Sequence, residues 1–225
     1  MIPRFFKTGD FVEPPAPLYY LVASSGAFLV KKTELFTSIT DTPLIAGLME
    51  QKPSLALHFG KIPSGVMERI YGFFDWAWRE WESEAIVFLY YAPATGTFEV
   101  EAPPQTLFRY RSLGRWRTEG RVAYETAPRP NGYVKLGDAH SHGGLPPFFS
   151  AADDRDDCEE GLKIVMGNMD QQHPDIEVSF VAGGSRFALE AAEAVEDFRV
   201  PLPPPKEWIR RVSCRYETES YGLQR

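Results

Sequence analysis

The stretch Gly137-Asp-Ala-His-Ser-His-Gly-Gly-Leu-Pro-Pro-Phe-Phe-Ser-Ala-Ala-Asp153 carries the most specific pattern in this chain. His140 and His142 are two residues apart, so both imidazoles point to the same side if they end a β-strand. Ser150 and Asp153 fit a helix start, with a capping serine and an acid in the first turn. Two imidazoles, one carboxylate and a fourth position for water form the ligand set of a catalytic zinc ion. The stretch therefore favours a hydrolase.

Each half of this stretch also has an ordinary structural explanation. A His-x-His pair arises by chance on exposed surfaces, and a buried histidine often only satisfies a backbone carbonyl. Ser-Ala-Ala-Asp alone is more often a capping box, because the helix dipole favours an acid in the first turn. The two halves at this spacing are far more specific than either one alone.

The combined pattern resembles the JAMM signature of the JAB/MPN metalloproteases: His-x-His, seven intervening residues, then Ser-x-x-Asp. The resemblance covers about residues 60 to 190. The family pattern also requires a glutamate upstream, at the start of a hydrophobic strand that follows a long helix, and Glu84 directly precedes Ala-Ile-Val-Phe-Leu-Tyr-Tyr91. Most members have proline after the second histidine, where this chain has Gly143. Because that proline shapes the loop and is not a ligand, the difference concerns the loop and not the metal.

The resemblance implies a role for each residue of the signature. His140, His142 and Asp153 would bind one Zn²⁺ ion per chain, with water as the fourth ligand. Glu84 would act as the general base on that water and then deliver the proton to the departing amine. The Ser150 hydroxyl would stabilise the oxyanion of the tetrahedral intermediate.

Two parts of this assignment have alternatives in the sequence. Glu80 and Glu82 share the alternation parity of Glu84, so Glu82 remains the substitute for the general base. The acidic run 153–160 resembles a cation site, but acids are favoured at a helix N-terminus, and a solvated face explains the run more simply. Cys158 lies among carboxylates that raise the pKa of a thiol, which makes it a poor nucleophile.

A longer match, His-Ser-His-Gly…Pro-Phe-Phe-Ser…Asp-Asp, resembles a bacterial Prok-JAB branch that includes PRTRC system protein A. Proteins of this branch are similar to deubiquitinase-like peptidases of bacterial ubiquitin-like conjugation operons, some of them antiphage. The resemblance implies a zinc-dependent isopeptidase or peptidase that cleaves a ubiquitin-like modifier from a target or processes its precursor. The partners would be a ubiquitin-like protein or its conjugate, and E1/E2-like proteins of the same operon.

A non-catalytic MPN-type scaffold that binds a ubiquitin-like or E1/E2-like partner is the alternative function. Such scaffolds typically lose metal ligands, whereas this chain keeps the signature set. A zinc-dependent base deaminase would require His-x-Glu with Pro-Cys-x-x-Cys, and the sequence contains neither.

The composition limits the remaining functional classes. A formal charge of −7 and a pI near 5.2 argue against a nucleic-acid partner, which requires a basic face. Two cysteines supply neither a disulfide framework nor a Cys-x-x-Cys zinc site. The N-terminus lacks the apolar core of a signal peptide, and no apolar run is long enough to span a membrane. We therefore expect a cytoplasmic protein without nucleic-acid or membrane partners.

The hydrophobic pattern predicts an α/β (α+β) fold with three parts. Residues 1–58 are expected to form an N-terminal β-rich extension and residues 199–225 a proline linker with a C-terminal tail. The resemblance implies that residues 59–198 form the JAB/MPN metalloprotease core. The resemblance implies that the core is a cytidine-deaminase-like mixed β-sheet flanked by helices.

The pattern also predicts the main elements. Apolar spacing indicates a helix that follows Pro63 and ends near Trp81. Residues 103–130 have no regular period of hydrophobic residues, which favours a solvated surface segment. A second helix is expected to begin near Ser150. Residues 186–198 are compatible with a helix or with a strand at their start, and residues 209–216 with an edge strand or a tail. Strands are expected within 18–40, 55–59, 87–91, 98–100, 133–140, 163–167 and 177–182.

Overall fold

A computed structural model describes residues 2–33, 36–43, 45, 48, 53–112, 115–126, 129–149 and 159–218, with backbone only for 110–112, 115–121, 217 and 218. The chain divides into two compact units, residues 1–54 and 55–225. The helix predicted from Ser150 lies outside the described residues. The three-part division predicted from the sequence stays a prediction.

The first unit contains a four-stranded sheet in sequence order, β1-β2-β3-β4. The first pair is parallel and the other two are antiparallel. Tyr19, Leu21 and Val30 are its buried apolar residues. The strands predicted within residues 18–40 are confirmed by β2 (Leu18–Ala23), β3 (Gly26–Lys32) and β4 (Thr37–Asp41), which follow β1 (Arg4–Phe6).

The second unit is built on a six-stranded mixed sheet, the central sheet. Its strands are β5 (Ile86–Ala92), β6 (Thr97–Glu101), β9 (Val134–Ser141), β10 (Gly161–Gly167), β11 (Asp175–Ala182) and β12 (Ser185–Leu189). Their order is β12-β11-β10-β9-β5-β6, with β9 and β10 parallel and the other neighbours antiparallel. The predicted mixed α+β fold is confirmed, and the cytidine-deaminase-like arrangement stays a prediction.

The long helix α1 (Ser64–Trp81) covers one face of the central sheet. Ile70, Phe73, Phe74 and Ala77 recur at helical spacing and are all fully buried. They share one core cluster with apolar residues of β5, β9 and β10. The helix ends at Glu82, whose left-handed conformation (φ 45°) turns the chain into β5. The predicted helix and its role in the core are confirmed.

A three-stranded sheet corrects the prediction for residues 103–130, which are not an irregular surface segment. It consists of β7 (Gln105–Ser112) and β8 (Arg115–Tyr124), with β13 (Val212–Thr218) as the edge strand parallel to β7. The pairing register of β7 and β8 shifts between Leu107 and Arg109, and the consecutive residues Leu107 and Phe108 are both buried. This irregularity removes the period of two by which a strand is recognised.

The proline-rich segment after residue 200 lies against α1. Leu202 N donates a hydrogen bond to Glu68 O at 2.9 Å. A Cβ atom at Gly72 would lie 1.6 Å from Leu202 O, so only glycine permits this approach of the two backbones. The segment leads to α3 (Lys206–Arg210), where Trp208 is almost fully buried.

Two smaller predictions have different outcomes. The strand predicted at residues 55–59 is wrong, since these residues join no described ladder; the Phe59 ring instead packs against Tyr91, Phe98 and Phe180. Residues 186–198 contain both of the proposed elements, first β12 and then the short helix α2 (Ala191–Ala194). In the part of the chain that the structure describes, no helix is long and apolar enough to cross a membrane.

Candidate metal centre

The imidazoles of His140 and His142 converge at the end of β9. Their Nε2 atoms lie 3.1 Å apart, and His142 is buried while His140 is half-buried. Two Zn–N bonds of tetrahedral geometry separate the nitrogen atoms by about 3.3 Å. The two side chains therefore fit a single metal ion, in agreement with the parity argument from the sequence.

Ser141, between the histidines, fixes this strand end to the start of β5. Its Oγ accepts a hydrogen bond from Ala85 N at 3.0 Å, and its own N–H donates to Ala85 O at 3.0 Å. On the other side, His142 N donates to Met166 O at 2.8 Å. Because Ser141 is buried and bonded through both backbone and side chain, the histidines have little freedom to separate.

The register of β5 against β9 runs toward Glu84. Ile86 pairs with His140, and the Ser141–Ala85 hydrogen bonds continue this ladder by one residue. Extended by one more residue, the same register would put Glu84 opposite His142, and side chains opposite each other in an antiparallel pair share a face. Glu82 is instead the left-handed end of α1, and its carboxylate accepts a hydrogen bond from Arg109 Nη2 at 2.9 Å. The geometry favours Glu84 over Glu82 as the base, and the role itself stays a prediction.

A row of polar side chains crosses four strands on the histidine face. On β9 this row lies two residues before His140. We call Asp138, Lys163, Ser179 and Arg186 the polar row. Lys163 pairs in register with Asp138 on β9 and with Ser179 on β11. Lys163 Nζ donates to Asp138 Oδ2 at 2.7 Å, and Arg186 Nη1 donates to Ser179 Oγ at 2.7 Å.

Sequence patterning did not predict the polar row. Its one sequence signal is Lys163, which interrupts the apolar run Leu-Lys-Ile-Val-Met of β10. Lys163 is only 5% exposed, and a lysine is rarely buried unless it is paired. The lysine within the apolar sequence of β10 is therefore the signal for an acidic partner, which is Asp138 on the neighbouring strand β9.

Gly143 gives the loop after the histidines a conformation that proline cannot adopt. Its φ is +56°, whereas the proline ring fixes φ near about −65°. A Cβ atom here would also lie 2.7 Å from the Trp78 ring. Gly143 O accepts a hydrogen bond from Met169 N at 2.9 Å. The glycine at the position of the family's proline therefore permits a left-handed turn that packs under Trp78.

The two phenylalanines that end this loop contact different strands. Phe148 meets the His142 ring edge-to-face, with the ring centroids 4.6 Å apart. The Arg186 guanidinium lies over the Phe149 ring, 4.3 Å from its centroid. The loop is thereby tied both to His142 and to the edge strand β12.

The remaining signature residues, Ser150 and Asp153, lie outside the described residues, as does Cys158. Within the described ranges, no group of three His, Cys, Asp or Glu side chains could hold a metal ion. The structure therefore brings the two histidines together, and the roles of Glu84, Ser150 and Asp153 stay predictions.

Among the described residues of the second unit, Glu159 and Cys214 have shifted pKa values. The Lys135 ammonium forms an ion pair with Glu159 and lowers the pKa of that carboxyl. Burial raises the pKa of the Cys214 thiol on β13, so this cysteine is a poor thiolate nucleophile. A cavity of about 680 Å³ elsewhere in the second unit is lined by neither His140 nor His142.

Comparison with known proteins adds a family match. Residues 73–197, more than half of the chain, match the model described as prokaryotic homologs of the JAB domain. The solution structure of a protein from Desulfitobacterium hafniense is similar at 16% identity, over 72% of this chain and 97% of that one. Its TM-score is 0.35, so it adds nothing to the argument. No curated protein gives a significant match.

Proposed function

The chain belongs to the family of prokaryotic JAB-domain homologues, and from this premise we propose that it is a zinc-dependent peptidase or isopeptidase acting on a ubiquitin-like modifier. The family includes hydrolases and non-catalytic members, so membership is consistent with a peptidase or a scaffold role. The observation that carries the enzymatic proposal is the 3.1 Å separation of the His140 and His142 Nε2 atoms. The same distance also allows one imidazole to donate a hydrogen bond to the other, so zinc binding is the measurement that separates the enzyme from the scaffold.

In the proposed mechanism, His140, His142 and Asp153 would hold the metal. Zinc bound there would supply an acidified water and would polarise the scissile carbonyl. Glu84 accepts the proton of the attacking water and transfers it to the departing amine, which otherwise leaves poorly. The Ser150 hydroxyl donates a hydrogen bond to the oxyanion of the tetrahedral intermediate, an interaction worth about 3 kcal/mol when the donor is well placed.

The surface beside the histidines supports a polypeptide substrate. Leu145 and Phe148 lie on the loop that leaves His142 and are 58% and 45% exposed. Exposed apolar side chains beside a site can pack against the side chains of an extended chain. The motif resemblance to PRTRC system protein A and its relatives supports a ubiquitin-like protein as this substrate, with E1/E2-like proteins of the same operon as further partners.

The experiment compares Glu84→Gln with the matched variant Glu82→Gln. Purified wild type is expected to contain about one zinc ion per chain and to cleave a fusion of a ubiquitin-like protein encoded near its gene. Glu84→Gln should keep the zinc and lose about 10²- to 10⁴-fold in kcat, because a general base contributes a factor of this size. Glu82→Gln should retain activity. Metal content is read by mass spectrometry and cleavage by the mass of the products.

Each other result contradicts a different part of the proposal. Full activity of Glu84→Gln would remove Glu84 as the base. Equal absence of zinc from wild type and from His140→Ala would remove the metal site. Zinc binding without cleavage, together with a stable complex with the modifier, would favour the scaffold role.

A further inference from the structure

One buried glutamine completes the hydrogen bonding at the start of β5. Gln105 is 3% exposed; its Oε1 accepts a hydrogen bond from Ile86 N at 3.0 Å, and its Nε2 donates one to Ile86 O at 3.0 Å. The same Nε2 also donates to Pro103 O at 3.3 Å. The side-chain amide thus bonds both backbone groups of Ile86, as the backbone of a paired strand would do.

The sequence explains why a side chain takes this place. The register of β5 against β6 ends at Phe88 and Glu101. Continued by two residues, it would put Pro103 opposite Ile86. Proline has no N–H, so it cannot donate a hydrogen bond to the carbonyl of a neighbouring strand. The Gln105 amide therefore supplies the donor and the acceptor that the β5–β6 ladder lacks at this point.

Gln105 is itself fixed by the three-stranded sheet. It is the first residue of β7 and pairs in register with Tyr124 on β8 and with Val212 on β13. Its backbone N–H donates a hydrogen bond to Arg211 O at 3.0 Å. A buried, fully bonded amide on a paired backbone has little freedom to move. Gln105 therefore connects the start of β5 rigidly to a second sheet.

The start of β5 is also bonded on its other side, to the histidine strand. Ala85 is fully buried, and its N and O atoms bond Ser141 Oγ and Ser141 N, each at 3.0 Å. Backbone groups of successive residues in a strand point to opposite neighbours. Ala85 is accordingly held by β9, and Ile86 by Gln105. These two residues directly follow Glu84, so the chain is fixed on both sides where Glu84 enters the strand.

We propose that Gln105 is a positioning residue for Glu84. By holding Ile86, it sets the place of Glu84 relative to the two histidines. This role rests on the proposed function, because it takes Glu84 as the general base. The histidine strand is held independently by β10, where His142 N donates to Met166 O at 2.8 Å. Loss of the Gln105 bonds should therefore displace Glu84 and leave the histidines in place.

The test measures zinc affinity, KM and kcat at saturating zinc, with the full chain and the ubiquitin-like fusion as substrate. Gln105→Met keeps the length of the side chain but loses both polar groups. Its kcat should fall about 10- to 100-fold, because a small displacement of a catalytic group has an effect of this size. Its zinc affinity and KM should not change. Gln172→Met, at an exposed glutamine, is the matched control and should equal wild type.

A second variant separates positioning from a merely structural role. Gln105→Asn keeps the amide but is one carbon too short to bond both groups of Ile86, and it should show the same selective loss in kcat. Thermal melting reports the stability of each variant. A merely structural glutamine would lower the melting temperature of both variants and leave the kcat of the folded protein unchanged.

The possible results overturn different statements. Wild-type kcat in a folded Gln105→Met, or in Gln105→Asn if Gln105→Met does not fold, would overturn the positioning role and leave the proposed function intact. Weaker zinc binding with unchanged kcat at saturating zinc would do the same. Failure of both variants to fold would assign Gln105 a structural role and overturn the positioning role. Absence of cleavage by wild type would overturn the proposed function, and the positioning role with it.

Discussion

Both faces of the central sheet bury side chains, but their chemistry differs: the face toward α1 is apolar, whereas the histidine face combines the polar row with an apolar cluster on β5. Toward α1, Leu89 and Ile164 pack against Phe73 and Phe74, all fully buried. On the other face, the histidines and the polar row stand on the same strands, and Lys163 is a direct neighbour of Ile164 along β10. Burial alone therefore does not tell what a face does. The apolar face stabilises the sheet, whereas the polar face orients groups relative to one another.

The largest test of this comparison is Phe74→Ala, on the apolar face. Removing a fully buried phenylalanine should lower the free energy of unfolding by about 4 kcal/mol, through lost burial and the cavity left behind. Urea denaturation measures this, with Val134→Ala, at a 45% exposed site, as the control. The zinc affinity of the folded variant should not change. A loss below about 1 kcal/mol would mean that α1 is not the main stabilising partner of the sheet.

The polar face is tested by Lys163→Met. This change leaves Asp138 buried without its cation and should cost about 3 kcal/mol in the free energy of unfolding. The double variant Asp138→Leu/Lys163→Met should recover most of this loss, because an apolar pair can replace a buried ion pair at little cost. Chemical denaturation of wild type, the single and the double variant gives the comparison. A double variant as unstable as the single one would show that the two side chains do not act as a pair.

A smaller effect is expected at the glycines that follow His142. Gly143→Ala must place a Cβ atom 2.7 Å from the Trp78 ring in a left-handed conformation, which should cost about 2 kcal/mol. At Gly144 the corresponding distance is 3.2 Å and φ is not positive, so Gly144→Ala should cost less than about 1 kcal/mol. Melting temperatures of the two variants give the order. Equal losses of stability in the two variants would show that the left-handed conformation is not the reason for glycine at position 143.

The smallest effect concerns the exposed margin of the polar face. Lys135 lowers the pKa of Glu159, so this ion pair adds stability above the ordinary glutamate pKa and loses it as the pH falls through the lowered value. Because the Glu159 side chain is 67% exposed, Glu159→Gln should cost only a few tenths of a kcal/mol at neutral pH. Melting at neutral and at acidic pH should show a difference that disappears in acid. A difference that persists in acid would exclude the ion pair as its cause.

Regular patterns predicted the regular part of the fold. The spacing of Ile70, Phe73 and Phe74 predicted α1, and β-branched or aromatic runs predicted β5, β9, β10 and β11. The β7–β8 hairpin escaped prediction, because a register shift places Leu107 and Phe108 side by side in the core. Local periodicity cannot describe a strand whose alternation is interrupted.

The candidate site was predictable where it depends only on which residues of one strand point to the same face. The convergence of His140 and His142 follows from their spacing of two residues at the end of β9. The choice between Glu82 and Glu84 required the register of β5 against β9, and the polar row required the order of four strands. Pairing between strands that are distant in sequence is a property of the folded chain, and local patterns do not contain it.

The contact between Gly72 and Leu202 has a consequence for the order in which the protein folds. The two residues are far apart in sequence, and Trp208, just beyond, packs against Phe73 with ring centroids 5.5 Å apart. During synthesis, α1 and the histidine strands leave the ribosome long before residues 201–218 do. Contacts of such high sequence separation form slowly, since the closure of a long loop must precede them. Gly72 and the part of Phe73 that Trp208 covers therefore stay uncovered until the segment around residues 202–208 has been made.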